Sequence, residues 1–472
     1  MIFIDIHFLF YFLPLALIAH RISIGFKTKP HYGNLSKITI FLITLFFYSY
    51  NQRWWLIPFL IAIIFDFIWA SALRKIENPK GRKGIVVMSV IQNLSLLGFF
   101  KYSSWFLTLL SGVFPSLNLQ NSIALTPELP PGISFYIFES MSFVIDAYRR
   151  EIHAPRNPMD FFAFIGMFPR FIAGPIVRYK DLSKQFQIYS GGNISAGLYI
   201  FVTGFAQKIL LADSFAVFTE YAFNKPPSEP IGAWLGILAY TFQIYFDFSG
   251  YSLMAIGLGR CLGFQFETNF NRPYLAASLQ DFWRRWHMSL SRWLRDYLYI
   301  PLGGNRKGTY FTYQNLMLTM AIGGLWHGAG GTFVIWGIVH GAGLCIEKFI
   351  GSRNKLPDYL NKIITFIFVV NAWVLFRAPD IAWAKKVYSA MYGFTNKGNF
   401  NFTGLQAFPI SLVLAISGII YCFFIESRTP AEQVEKIQTL NFKKSILVSA
   451  LAVFGLIMST SSTTSPFIYF RF

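Results

Sequence analysis

Residues 281–308 read DFWRRWHMSLSRWLRDYLYIPLGGNRKG, and after one apolar segment residues 323–341 read GGLWHGAGGTFVIWGIVHG. A basic, tryptophan-rich section thus runs into a glycine-rich apolar hairpin, and the hairpin carries His327. A histidine in an apolar helical setting is costly unless something uses or pairs it, and an ionisable group at membrane depth reads first as a functional site. His327 is therefore the candidate chemical centre.

The rest of the chain has the composition such a setting requires. Of its 472 residues 54% are hydrophobic and 19% aromatic, and only 13% are charged, too few to solvate a soluble protein of this length. A span needs about 20 mostly apolar residues, and candidates, two or three of them re-entrant, lie near 2–20, 38–50, 54–73, 85–110, 132–148, 194–212, 232–260, 311–323, 331–350, 361–378, 408–426 and 445–461. The expected fold is all-α: a polytopic integral membrane protein of about eleven transmembrane helices plus re-entrant or interfacial helices. Residues 1–472 read as one membrane domain, with a catalytic core near 160–350 and a C-terminal tail at 462–472.

The net charge of +19 lies in short loops between apolar runs, the pattern of a positive-inside protein facing anionic lipid. Nucleic acid is not an expected partner. The first basic residue, Arg21, follows the first apolar run, so that run reads as a retained helix whose N-terminus lies outside. The loops carrying Lys27 to Lys37 and Arg74 to Lys83 are then cytoplasmic, and residues 111–131, without Lys or Arg, lie outside. Cys261, Cys345 and Cys422 are scattered and lack metal-ligand spacing, and the histidines have no carboxylate pattern around them, so no metal is expected.

Two further runs break the apolar pattern. In FFAFIGMFPRFIAGPIVRYKDL (161–182), Pro169, Gly174 and Pro175 interrupt a helix, either as a kink or as a re-entrant wall with Arg170 and Arg178 near its polar end. In QIYFDFSGYSLMAIGLGR (243–260), Asp247 sits mid-span among hydroxyls and reads as a polar hub. Gly257, Gly259 and Gly263 imitate a dinucleotide fingerprint, but the third falls one residue late and no strand precedes it. In the basic section, Arg284, Arg285, Arg292 and Arg295 either snorkel from an amphipathic surface helix or form a funnel for an anionic donor such as coenzyme A.

The runs FPRFIAGPIVRY, YFDFSGYSLMAIGLGR, DFWRRWHMSLSRWLRDYLYIPLGGNR and GGLWHG, together with NAWVLFRA at 371–378, resemble those of the membrane-bound O-acyltransferase family. The similarity covers most of the chain and is nearest to the bacterial branch that acylates exported and cell-wall polymers. It implies a helical membrane fold with a central funnel, in which His327 matches the family's catalytic histidine and His287 its second one. Arg170 stands where the family more often carries Gln.

Acyl transfer from a thioester to a hydroxyl needs a base, and an imidazole with a pKa near ~6.5 suits that work. His327 is the expected base, with N–H groups around Gly323, Gly324, Gly328 and Gly330 as candidates for holding the oxyanion. His340 reads as a packing residue. No G-x-S-x-G elbow is present, so a serine acyl-enzyme is not indicated.

The tail SSTTSPFIYFRF spells F-x-Y-x-x-F across Phe467, Tyr469 and Phe472, a motif similar to one in this branch whose tyrosine is implicated as an acyl relay. The resemblance implies that Tyr469 takes the acyl group from a cytoplasmic thioester, acetyl-CoA or an acyl carrier protein. The expected protein is an inner-membrane O-acetyltransferase with both termini periplasmic. It would work with membrane lipid, a periplasmic acetyltransferase partner and a polysaccharide acceptor such as alginate, and would hold no bound cofactor. D-alanyl or other acyl transfer to a different envelope polymer, a polytopic transporter and an export scaffold are the competing expectations.

Overall fold

The computed structural model describes residues 1–25, 33–172, 174–187, 189, 191–223, 227, 229–351, 356–394, 409–425, 442–461 and 467–468. Among these residues every regular element is a helix and there is no strand. Among the described residues five helices are long and apolar enough to cross a membrane: Arg53–Leu73, Pro79–Val113, Ile194–Phe223, Gly331–Ile350 and Asp358–Arg377. Shorter apolar helices run Phe8–Ile24, Asn34–Ser49, Pro409–Phe424 and Ser445–Thr460.

Other apolar runs of the sequence form helices that are shorter or carry acidic residues. Ile133–Tyr148 has 16 residues and carries Glu139 and Asp146. At about 1.5 Å per residue its length is about 24 Å, below the roughly 30 Å of a hydrocarbon core. The run at 161–182 is in pieces: Pro158–Ile165, Phe168–Phe171 and, after an irregular stretch, Tyr179–Gln187.

The chain divides into two compact units, Met1–Phe201 with Met254–Glu267, and Val202–Leu253 with Thr268–Phe472. In the first, buried polar groups are satisfied by neighbouring helices. The Asp66 carboxylate accepts from Ser89 Oγ at 2.6 Å, Asn93 Nδ2 at 2.7 Å and Ser140 Oγ at 2.6 Å. Three neutral donors compensate the carboxylate for the water it has lost.

Arg170 does not reach a polar end of its segment. It is buried, pairs with the Glu139 carboxylate and donates to the Phe164 carbonyl, while Glu139 also accepts the Val177 N–H at 3.0 Å. The ion pair ties the interrupted stretch to Ile133–Tyr148 and satisfies backbone groups that the break leaves outside a helix. Gly257 and Gly259 serve close packing: a Cβ at Gly257 would lie 2.6 Å from the Gly197 carbonyl, and one at Gly259 would strike the Phe266 ring. That is the small-residue contact of membrane helices rather than a phosphate loop.

The second unit is built on the hairpin Thr309–His327 and Gly331–Ile350. A Cβ at Gly324 would run into the Phe333 carbonyl, and one at Gly337 into the Met320 carbonyl, so these two glycines set how closely the two helices approach. Against the hairpin lie Trp283, Trp286 and Trp373: Trp336 stacks on Trp373 at 5.8 Å and Trp373 meets Trp286 at 5.0 Å between ring centroids.

Candidate active site

His327 is the last residue of the helix Thr309–His327, with Gly328 beyond it in extended conformation. The helix dipole places partial negative charge at this end, so an imidazolium formed there by proton capture is stabilised. Its ring is boxed by Trp326 at 5.1 Å, Trp336 at 5.1 Å and Phe376 at 5.4 Å, and is only 3% exposed.

His287 sits 6.3 Å from His327 between ring centroids and is fully buried. It occupies the position before the short helix Met288–Leu294 with φ of 42°, a left-handed conformation that non-glycine residues rarely adopt. What holds it is Asn269. The Asn269 carbonyl accepts the Met288 N–H at 2.9 Å, and its side-chain Oδ1 accepts the Ser289 N–H at 3.1 Å and Ser289 Oγ at 2.9 Å. The same Oδ1 lies 3.3 Å from His287 Nδ1. Because a backbone N–H can only donate, the atom facing it is oxygen, and the Nδ1 beside that oxygen carries the proton. Nε2 is then the acceptor nitrogen of His287. Phe248 packs edge-on against this ring at 4.7 Å.

Asp247 is buried one residue before Phe248 and lies 3.0 Å from Lys208 Nζ, which also lies 2.5 Å from Asp213 Oδ1. The other Asp247 oxygen accepts the Ile468 N–H at 2.8 Å. Phe467 is fully buried, stacks on Tyr251 at 4.4 Å and meets Phe248 at 5.8 Å. The C-terminal tail therefore enters this unit one ring away from His287. Tyr469 and Phe472 lie outside the described residues.

Two of the four expected arginines are held in ion pairs within their own helices. Arg285 bridges to Asp281 at 2.8 Å and Arg295 to Asp296 at 2.6 Å, while Arg284 is exposed and Arg292 half-buried. His340 is buried in an aromatic box of Trp336 at 4.8 Å, Trp283 at 5.2 Å and Phe368 at 5.5 Å. Of the expected oxyanion donors, the Gly330 N–H is directed instead to the Gly328 carbonyl at 3.1 Å, and Gly323 and Gly324 are inside a helix. The tight turn after His327 uses that donor locally.

Asn269, Lys208 and Glu139 were not singled out by sequence reading. Lys208 had a usable signal: it is the cation inside the apolar run 194–212. Asn269 sits in an irregular stretch where asparagine has many ordinary roles, and nothing in the pattern marks it.

The profile of the membrane-bound O-acyltransferase family matches residues 22–382. Over the full length of both chains the protein is 39% identical to a probable alginate O-acetylase, AlgI, of Pseudomonas putida. It is 42% identical to the corresponding Pseudomonas aeruginosa protein over 89% of this chain and 82% of the relative. It is 34% identical to a peptidoglycan O-acetyltransferase of Helicobacter pylori over 98% of this chain and 96% of the relative.

Proposed function

Since the chain belongs to the membrane-bound O-acyltransferase family and is an O-acyltransferase of the membrane, we propose that it carries an acetyl group from a cytoplasmic thioester across the inner membrane, for O-acetylation of an exported polysaccharide. The observation that carries this reading is the pair His287 and His327, buried together with their rings 6.3 Å apart.

His327 takes the proton of the attacking hydroxyl, and its place at a helix C-terminus stabilises the imidazolium that results. The hydroxyl oxygen attacks the thioester carbonyl, the carbon–sulfur bond breaks, and the imidazolium returns its proton to the departing thiolate. His287, with Nδ1 protonated against Asn269, presents Nε2 as an acceptor and orients the reacting groups.

The first hydroxyl to attack is that of Tyr469. The seating of Phe467 and Ile468 beside Phe248 supports this, because Tyr469 is the next residue in the chain. The tyrosyl ester then passes its acetyl group to a periplasmic acetyltransferase partner, which completes transfer to sugar hydroxyls. Acetyl-CoA, or an acetylated carrier protein, approaches from the cytoplasmic side past Arg284, Arg285, Arg292 and Arg295. The chain crosses the membrane about eleven times with both termini periplasmic, as its loop charges favour. Alginate or a related polymer is the acceptor class that the relatives' names support.

The test uses the purified protein in sealed vesicles with acetyl-CoA on one face. Free coenzyme A should appear when donor meets the arginine-bearing face, and not with His327→Ala. Thiol release that is independent of His327 would remove the reading.

A further inference from the structure

The buried group formed by Lys208, Asp213 and Asp247 is not used by the acyl-transfer chemistry. Its three side chains hold one ammonium and two carboxylates, one formal negative charge in surplus. Its assembly follows from the sequence: a Cβ at Gly250 would lie 2.7 Å from the Gly204 carbonyl and 3.0 Å from the Lys208 backbone nitrogen, so glycine lets the two helices close until the Lys208 side chain reaches Asp247. Lys208 then sits between Asp213 at 2.5 Å and Asp247 at 3.0 Å. The second Asp247 oxygen is turned towards the tail, where the Ile468 N–H donates to it at 2.8 Å.

We propose that Asp247 is a positioning residue, a latch whose carboxylate captures the backbone of the C-terminal tail at Ile468 and seats Phe467 between Tyr251 and Phe248 beside His287. A backbone N–H bound to an ionised acceptor is stronger than a neutral pair, and in a buried site the surplus charge favours a donor over an apolar neighbour. Phe467 supplies the apolar share: it is fully buried, stacked on Tyr251 at 4.4 Å and 5.8 Å from Phe248, which itself packs on His287 at 4.7 Å. Any sequence with an aromatic residue followed by a free N–H fits the latch, so Asp247 sets where the tail lies while the tail's own side chains set what it does there. What the seated tail then does rests on the acyl-relay reading above; the seating itself does not.

Removing Asp247 leaves Lys208 and Asp213 as a neutral pair, so the variant should keep its fold and lose the tail. Hydrogen exchange of the full-length protein in detergent, followed on the peptide that contains Ile468, tests this in wild type, Asp247→Ala and Ile468→Pro. Ile468→Pro deletes the N–H and leaves the buried charges untouched. The expected result is slow exchange in wild type and exchange about tenfold faster in that peptide for both variants, with peptides from Thr309–His327 unchanged. In the acetyltransferase assay kcat should fall in both variants while KM for the thioester stays the same. Equal protection in wild type and Ile468→Pro overturns the latch, as does a wild-type tail that exchanges at open-chain rate. Tyr469→Phe should leave the tail protected, so loss of the relay reading and loss of the latch give different results.

Discussion

Asn269 Oδ1 lies 3.3 Å from His287 Nδ1 and at the same time accepts the Ser289 N–H at 3.1 Å. One side chain thus fixes the tautomer of the histidine and anchors the left-handed backbone that presents it. Asn269→Leu removes both. We expect kcat to fall about tenfold to a hundredfold, and stability to fall by about 1–3 kcal/mol for the orphaned Ser289 N–H. Steady-state acetyl transfer and thermal unfolding of the same sample measure the two effects. Unchanged kcat would show that the tautomer of His287 has no part in turnover.

His327→Ala should lower turnover by about 10²- to 10⁴-fold, the range expected for loss of a general base. The ring packs on Trp326, Trp336 and Phe376, so His327→Phe is the better-packed companion variant. Donor binding, followed by fluorescence or calorimetry, should be nearly unchanged in both. A parallel loss of binding and turnover would make His327 a packing residue.

Gly337→Val should destabilise the protein strongly. Its Cβ would collide with the Met320 carbonyl, a backbone atom that cannot move without parting the two helices of the hairpin. The expected readout is loss of monodisperse protein in size-exclusion chromatography. Gly84→Ala is the control: it lies inside the helix Pro79–Leu97 and nothing lies within 4 Å of a Cβ there.

Arg170→Met strands the buried Glu139 carboxylate and should cost about 3–5 kcal/mol. Adding Glu139→Gln to it removes the stranded charge and keeps an acceptor for the Val177 N–H. The double variant should therefore melt higher than Arg170→Met alone, a comparison that a thermal-shift assay makes directly.

The parts of the fold legible in the sequence are those set by composition over long windows. Long apolar runs with charge confined to short loops leave only a helical membrane protein, and GGLWHG fixes attention on His327 because a histidine stands out among glycines and tryptophans. The interruption of 161–182 was legible in Pro169, Gly174 and Pro175, but the ends of its helical pieces were not: Pro158–Ile165 stops at Gly166, and Phe168–Phe171 follows. Pairings distant in sequence were not legible at all. Arg170 reads as a cation near the polar end of its segment until Glu139 is seen beside it, and Asp247 reads as a polar hub whose partner Ile468, 221 residues away, nothing in the sequence marks. Asn269 lies 18 residues from His287, a separation that no helical or strand period marks.

Acetyl labelling tests the central claim most directly. The purified protein is incubated with radiolabelled acetyl-CoA, cleaved, and its peptides are mapped, with His327→Ala and Tyr469→Phe alongside wild type. The account predicts label on the C-terminal peptide of wild type and none on either variant, because His327 must deprotonate the hydroxyl that Tyr469 supplies. Label that persists on that peptide in His327→Ala, or wild-type label confined to a different peptide, would contradict it.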